Sequence, residues 1–202
     1  MALGKRKGIG ENMPVLKYDA RVGRFYTQDR VFENGSWQTV QCDCTDNFEA
    51  IFDLENVQVG QINFPKGAPP ETKLVRAGEP IPDAPGDGWK EGLRVIALLS
   101  DEQVPRELLS TAIAVWVAID ALHDVYLKQQ AEHPDEVPVV ELVDVEEVKT
   151  QMSTSWQPRF EIRDWVERPP SLPANPTPRR ESAKPTAKAQ QQRGPLDDDI
   201  PY

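Results

Sequence analysis

The stretch Pro105-Arg106-Glu107-Leu108-Leu109-Ser110-Thr111-Ala112-Ile113-Ala114-Val115-Trp116-Val117-Ala118-Ile119-Asp120-Ala121-Leu122-His123-Asp124-Val125-Tyr126-Leu127-Lys128-Gln129-Gln130-Ala131 is the one long segment of this chain with a clear helical period. Leu108, Ala112, Val115, Ile119, Leu122 and Tyr126 recur at spacings of four and three, and Pro105 suits a first turn because it has no N–H to leave unpaired. The pattern predicts a helix from Pro105 to Ala131, roughly 40 Å long at ~1.5 Å per residue. Leu109, Ile113, Trp116 and Val117 lie beside the stripe, so the buried arc is wide. Such a helix packs against a sheet, or against a twin helix in a homodimer. His123 on it and His133 just beyond lack the spacing of a metal-binding pair and are assigned no chemical role.

Around the helix the chain reads as strands. Asn34-Gly35 is a hairpin turn signal, with a strand from Trp37 to Cys42 after it. Phe48 to Leu54 and Val57 to Phe64 read as two strands joined by a tight turn at Glu55-Asn56, and Gly60 marks a bulge or a close backbone approach. Residues 65 to 91 hold Pro65, Pro69, Pro70, Pro80, Pro82 and Pro85 among several glycines, too broken for regular structure. Strands from Gly92 to Leu99, Val137 to Val148 and Phe160 to Val166 complete the ordered part, with Trp165 near the edge. Short strands plus one helix fit an α+β fold, an OB-like β-barrel with one long helix and a disordered C-terminal tail. Cys42 and Cys44 share one face of a strand and have no second Cys or His pair nearby, so they read as small buried thiols.

A length of 202 residues fits one domain plus appendages. The formal net charge of −10 is unevenly spread. Residues 1 to 30 carry +4 and residues 168 to 202 carry +2, which leaves −16 between them. A site for a polyanion must therefore be a local basic face. There is no apolar run long enough to span a bilayer, and Met1-Ala2-Leu3-Gly4-Lys5-Arg6-Lys7 lacks the apolar stretch of a signal peptide. The expectation is a soluble, intracellular protein without a membrane partner. There is no Gly-rich phosphate loop, no nucleophile elbow and no His-Glu-X-X-His, so no enzyme, cofactor or metal is expected.

Residues 1 to 13 read as a flexible basic arm. Val15 to Thr27 then interleaves Leu16, Lys17, Tyr18, Arg21, Arg24, Phe25 and Tyr26, with Arg30 shortly after. Bases stack on aromatic rings while Lys and Arg track phosphates, so the interleaving suits single strands. Trp89-Lys90, followed by Arg94, gives a second aromatic-basic pairing. The candidate contacts are Tyr18, Arg24, Phe25, Tyr26, Arg30, Trp37, Trp89, Lys90 and Arg94. The alternatives are an ordinary edge hairpin with Phe25 in the core, and a core role for Trp89.

From Arg168 onward Pro169, Pro170, Pro173, Pro176, Pro178 and Pro185 sit among Ala, Ser, Thr, Lys and Gln, which cannot bury enough apolar surface to offset chain entropy. Residues 14 to 167 are thus the expected domain, 168 to 194 a disordered tether, and 195 to 202 a separate tip. That tip, Pro195-Leu196-Asp197-Asp198-Asp199-Ile200-Pro201-Tyr202, has the makings of a ligand. Ile200 and the ring can fill an apolar pocket, Pro201 lowers the ordering cost, and the carboxylates suit Arg or Lys on a partner. It resembles the acidic tip of bacterial single-stranded DNA-binding proteins, an Asp run followed by Ile-Pro-Phe, with Tyr202 in place of Phe. The likeness covers about the last six residues. The layout of body, tether and tip is similar to that of phage-type single-stranded DNA-binding proteins, although no stretch of the body reads as the bacterial family's own. The resemblance implies a non-enzymatic protein in the cytoplasm of a bacterium or a phage-infected cell. It would bind single-stranded DNA and recruit replication, recombination or repair proteins through Asp197, Asp198, Asp199, Ile200, Pro201 and Tyr202. The rival readings are an acidic interaction or scaffold protein, and a DNA-mimic inhibitor that binds no DNA.

Overall fold

The computed structural model describes residues 13–33, 35–149 and 154–173. The basic arm up to residue 12, the tip and the tether beyond Pro173 lie outside them. Ten strands form one sheet: β1 (Val15–Asp19), β2 (Arg24–Glu33), β3 (Ser36–Asp43), β4 (Glu49–Phe52), β5 (Gln58–Asn63), β6 (Glu71–Arg76), β7 (Lys90–Leu99), β8 (Arg106–Ser110), β9 (Glu136–Lys149) and β10 (Thr154–Glu167). The strand order is β10-β9-β4-β7-β8-β1-β2-β3, with β5 branching from β7 and carrying β6. All pairs are antiparallel except β1 with β8.

The path is open at β10 and β3, but the sheet curls until its parts meet. The Trp156 N–H on β10 donates to the Ala20 carbonyl at 2.7 Å, and the Tyr18 hydroxyl donates to the Trp156 carbonyl at 2.9 Å. Gly23 permits this approach. Its φ is 69°, and a Cβ there would stand 2.7 Å from Val145 Cγ1 and 3.0 Å from Trp156 Cβ.

One helix, α1 (Ile113–Gln129), buries Ala114, Val115, Ala118, Ile119, Leu122 and Tyr126 against the concave face. There they join Leu16, Phe25, Phe48, Phe52, Val95, Leu108 and Phe160 in the main core. Phe25 is central, with ring centroids 4.4 Å from Phe48, 4.6 Å from Tyr18 and 5.9 Å from Phe160. The expected helical start at Pro105 is corrected. Residues 106–110 are β8, wedged between β7 and β1, and Ala112 is extended at the helix N-cap. Leu108 satisfies a helical and a strand pattern equally, and two flanking strands outweigh the local period. The helix is 17 residues, or about 25 Å.

Other expectations also shift. The strands on either side of Glu55-Asn56 exist but do not pair with each other, and Leu54–Asn56 is a 3-10 turn after which β5 continues along the same edge of β7 as β4. The supposedly unstructured 65–91 contains β6. Gly60 is a close backbone approach, since a Cβ would collide with the Lys73 carbonyl oxygen. Cys42 is exposed rather than buried, and Cys44 is half-buried, its thiol pushed up to about 11 by burial and the nearby Asp43.

β7 is apolar on both faces because its convex side is covered too. Ile96, Leu98 and Val137 form a second cluster with Leu172, against which Met13, Ile51 and Val166 pack. Arg168 secures this cover. Its Nη2 lies 2.8 Å from Oδ1 of fully buried Asp53, and the same guanidinium donates to the Pro173 carbonyl at 2.9 and 3.1 Å. Arg168 and Leu172, which composition placed in the tether, thus pack against the body.

Candidate nucleic-acid interface

Pairing register decides which side chains of the first three strands share a face. Phe25 and Thr27 are buried, so the alternate residues of β2 point outward. Opposed residues share a face. Lys17 opposes Tyr26 on β1, while Gln28 opposes Gln41, Arg30 opposes Thr39 and Phe32 opposes Trp37 across to β3. The convex face thus presents Lys17, Arg24, Tyr26, Gln28, Arg30, Phe32, Trp37, Thr39, Gln41 and Asp43 as one surface.

Within it the two amides meet, Gln28 Nε2 donating to Gln41 Oε1 at 3.1 Å. Phe32 and Trp37 form an edge-to-face pair with centroids 5.4 Å apart, and the Arg30 guanidinium carbon stands 5.9 Å from the Trp37 ring centre. These rings are 60% and 63% exposed, unusual for side chains of their size.

The pair sits on an arm. β1 pairs with β2 only as far as Val15 and Gln28, and beyond this Asp29–Glu33 and Ser36–Val40 have only each other. A two-stranded ribbon is marginal in water, and this one leaves its largest apolar side chains, Phe32 and Trp37, in solvent. What such a surface offers a ligand is flat rings for stacking, two cations for phosphates and amides for base edges.

The remaining candidates divide. Phe25 is fully buried and Tyr18 is 7% exposed, so both belong to the core. Burial, with Asp19 nearby, pushes the Tyr18 phenol well above its ordinary range. Arg24 is paired with Asp43 at 3.3 Å and Asp46 at 3.1 Å. The Thr45 hydroxyl and amide, more than Arg24, hold the Asp43 carboxyl below the usual range. Arg94 is held by Glu107 and donates to Gln58 Oε1 at 3.1 Å. Trp89 is half-buried and Lys90 exposed where β7 pairs with β5, on the far side of β8 from β1, and neither joins the arm. Of the nine candidates the face brings together Tyr26, Arg30 and Trp37, with Arg24 beside them but committed to Asp43 and Asp46. It adds Phe32, Lys17, Gln28 and Gln41, which sequence reasoning did not single out as contacts. A signal existed for Phe32, since a two-residue turn at 34–35 opposes residues 32 and 37.

A shallow cleft between α1 and β5, lined by Val57, Val59, Leu93, Trp116, Asp120 and His123, holds about 50 Å³. Small-molecule pockets start at about 300 Å³. No helix among the described residues is long and apolar enough to cross a membrane. Compared with family models, with curated proteins and with solved structures, the chain matches none.

Proposed function

We propose that this is a non-enzymatic protein that binds single-stranded DNA along the convex face of β1, β2 and β3, in the cytoplasm of a bacterium or a phage-infected cell. The observation that carries this reading is the coincidence of Tyr26, Arg30, Phe32 and Trp37 on one face, with two of the rings held in solvent. Duplex DNA hides its base faces, so rings displayed this way suit unstacked bases. The acidic tip, Asp197 to Tyr202, would then recruit replication, recombination or repair proteins, as the sequence resemblance implies. An OB-like barrel is the finer fold reading that accompanies this function. Its support is the curl that brings Trp156 to Ala20 around a single core, although the strand path itself stays open.

The test is a titration with oligo-dT followed by tryptophan fluorescence, beside Trp37→Ala followed by a mobility shift. Wild type should be quenched, and Trp37→Ala should bind about 5- to 150-fold more weakly, the equivalent of one lost stack at ~1 to 3 kcal/mol. Absence of binding at low salt overturns the proposal. The rival reading, an acidic scaffold or DNA mimic, draws on β9 and β10, whose sequences hold eight carboxylates against three cations. It predicts no oligonucleotide binding and no effect of Trp37→Ala.

A further inference from the structure

A strand at the edge of a sheet exposes unpaired N–H and C=O groups, and proteins that stay monomeric protect such edges with Lys, Pro, bulges or covering loops. Two edges here are protected. β10 carries Pro158, Arg159, Glu161 and Arg163 and is broken by two register shifts against β9. β6 is six residues long and carries Glu71, Lys73 and Arg76. The edge formed by β3 is different. It reads Ser-Trp-Gln-Thr-Val-Gln-Cys-Asp, all eight residues are exposed, and it pairs with β2 without a shift. Its single charge is at the last position, and it has no Lys, Arg or Pro.

We propose that β3 pairs antiparallel with β3 of a second copy of this chain, extending the sheet across a two-fold axis normal to it. Antiparallel pairing is self-complementary, because alternate residues direct both backbone groups to the same side and the second copy supplies the same groups in reverse order. A two-fold axis in this orientation keeps the convex face convex on both copies, which restricts the register to a residue opposing itself. Centring on Val40 is the register the side chains favour. Val40, 41% exposed, is then covered by Val40 of the second copy. Asp43, already paired with Arg24 of its own chain, is brought opposite Trp37 of that copy. Thr39 opposes Gln41, and Gln38 opposes Cys42, with no like charges facing. The pairing concerns backbone and Val40 and stands whether or not the convex face binds DNA.

Sedimentation velocity of the full chain at tens of micromolar tests this directly. Wild type should sediment as a dimer. Val40→Lys, at an exposed position, should sediment as a monomer with an unchanged circular dichroism spectrum, because two ammonium groups would face each other at the axis. A second variant does not depend on that fold being kept. With Cys42 and Cys44 replaced by Ser, Val40→Cys should form a disulfide-linked dimer on mild oxidation, while Gln38→Cys in the same background should not. A wild-type monomer, a folded Val40→Lys dimer, or equal cross-linking at 38 and 40 overturns the proposal.

Discussion

Replacing Arg168 by Met separates the two descriptions of where this protein's body ends. Composition places residue 168 at the head of a solvated tether, in which case the change has no effect. In the structure Asp53 is 0% exposed and Arg168 is its only cation among the described residues, at 2.8 Å, with Asn56 Nδ2 at 3.0 Å from each oxygen. Removing one member of a buried pair strands the other charge, at about 3 to 5 kcal/mol. We expect about 3, the low end, for two reasons. The Asn56 bonds remain, and Arg168 is itself imperfectly used, its Nη1 being buried with no hydrogen-bond partner among the described residues, 4.0 Å from Glu55. For a domain of this size that corresponds to a Tm lower by about 6 to 12 °C. Urea denaturation of Arg168→Met, Asp53→Asn and the double variant gives both the cost and the coupling. The double variant should recover part of the loss, because no unpaired carboxylate remains. Truncation after Pro173 should leave the urea midpoint unchanged, whereas truncation after Glu167 should lower it by more than Arg168→Met, since the cover by Leu172 goes too. A loss below about 1 kcal/mol for Arg168→Met would refute the reasoning.

Core and interface aromatics should respond oppositely: Phe25→Ala should cost about 3 to 5 kcal/mol in urea denaturation, while Phe32→Ala should leave stability within about 0.5 kcal/mol and weaken oligo-dT binding. Burial, reinforced by Glu55 and Asp53, pushes the Tyr126 phenol up to about 12, and Tyr18 is raised as well. Raised folded-state values mean stability that is complete below about pH 10 and is lost as pH climbs through the folded values. Tyrosinate absorbance from these two rings should therefore appear together with alkaline unfolding, and a Tyr18→Phe, Tyr126→Phe protein with the same absorbance as wild type just before that transition is the expected match. Salt titrations should distinguish available from committed cations. Lys17→Gln with Arg30→Gln should reduce the slope of log K against log salt by about 1.4, at ~0.7 per phosphate contact on single strands, and Arg24→Gln with Arg94→Gln should scarcely alter it.

What the sequence made legible was local. The turn at 34–35 and its hairpin, β7, β9 and β10 follow from alternation and turn residues, and most of α1 follows from its period. The misreadings arise where partners distant in sequence decide. Leu108 fits a helical stripe, but β8 exists because β1 and β7 satisfy its backbone on both sides. Phe25 and Tyr18 lie in a stretch that resembles a nucleic-acid face, yet alternation sends Phe25 inward while Tyr26 goes outward, and only register against β1 and β3 reveals which residues accompany Tyr26. Arg24 and Arg94 look available in sequence and are taken up by Asp43, Asp46 and Glu107 across strands. Composition alone, blind to Asp53, assigned Arg168 to the tail.

The acidity of the body, the strongest objection to a polyanionic ligand, loses force once charges are placed on strands. The eight carboxylates of β9 and β10 lie at one end of the strand path and β3 at the other. The turn at Gly23 meets β9 and β10 at Val145 and Trp156. Phe32 is nine residues further along β2, about 30 Å at ~3.3 Å per residue. A separation of that size would be roughly three to four Debye lengths at physiological ionic strength, at which exposed charges are largely screened. On the convex face Asp43 is paired with Arg24, while Asp29, on the opposite side of β2, is held by Arg106, whose Nη1 and Nη2 reach its two oxygens at 3.0 Å. Lys17 and Arg30, with Glu33 next to Phe32, set the local potential around the exposed rings. On the proposed reading the attraction there would be modest and stacking would carry more of it, so the net charge of the chain would bear on the approach to DNA far more than on the strength of the contact.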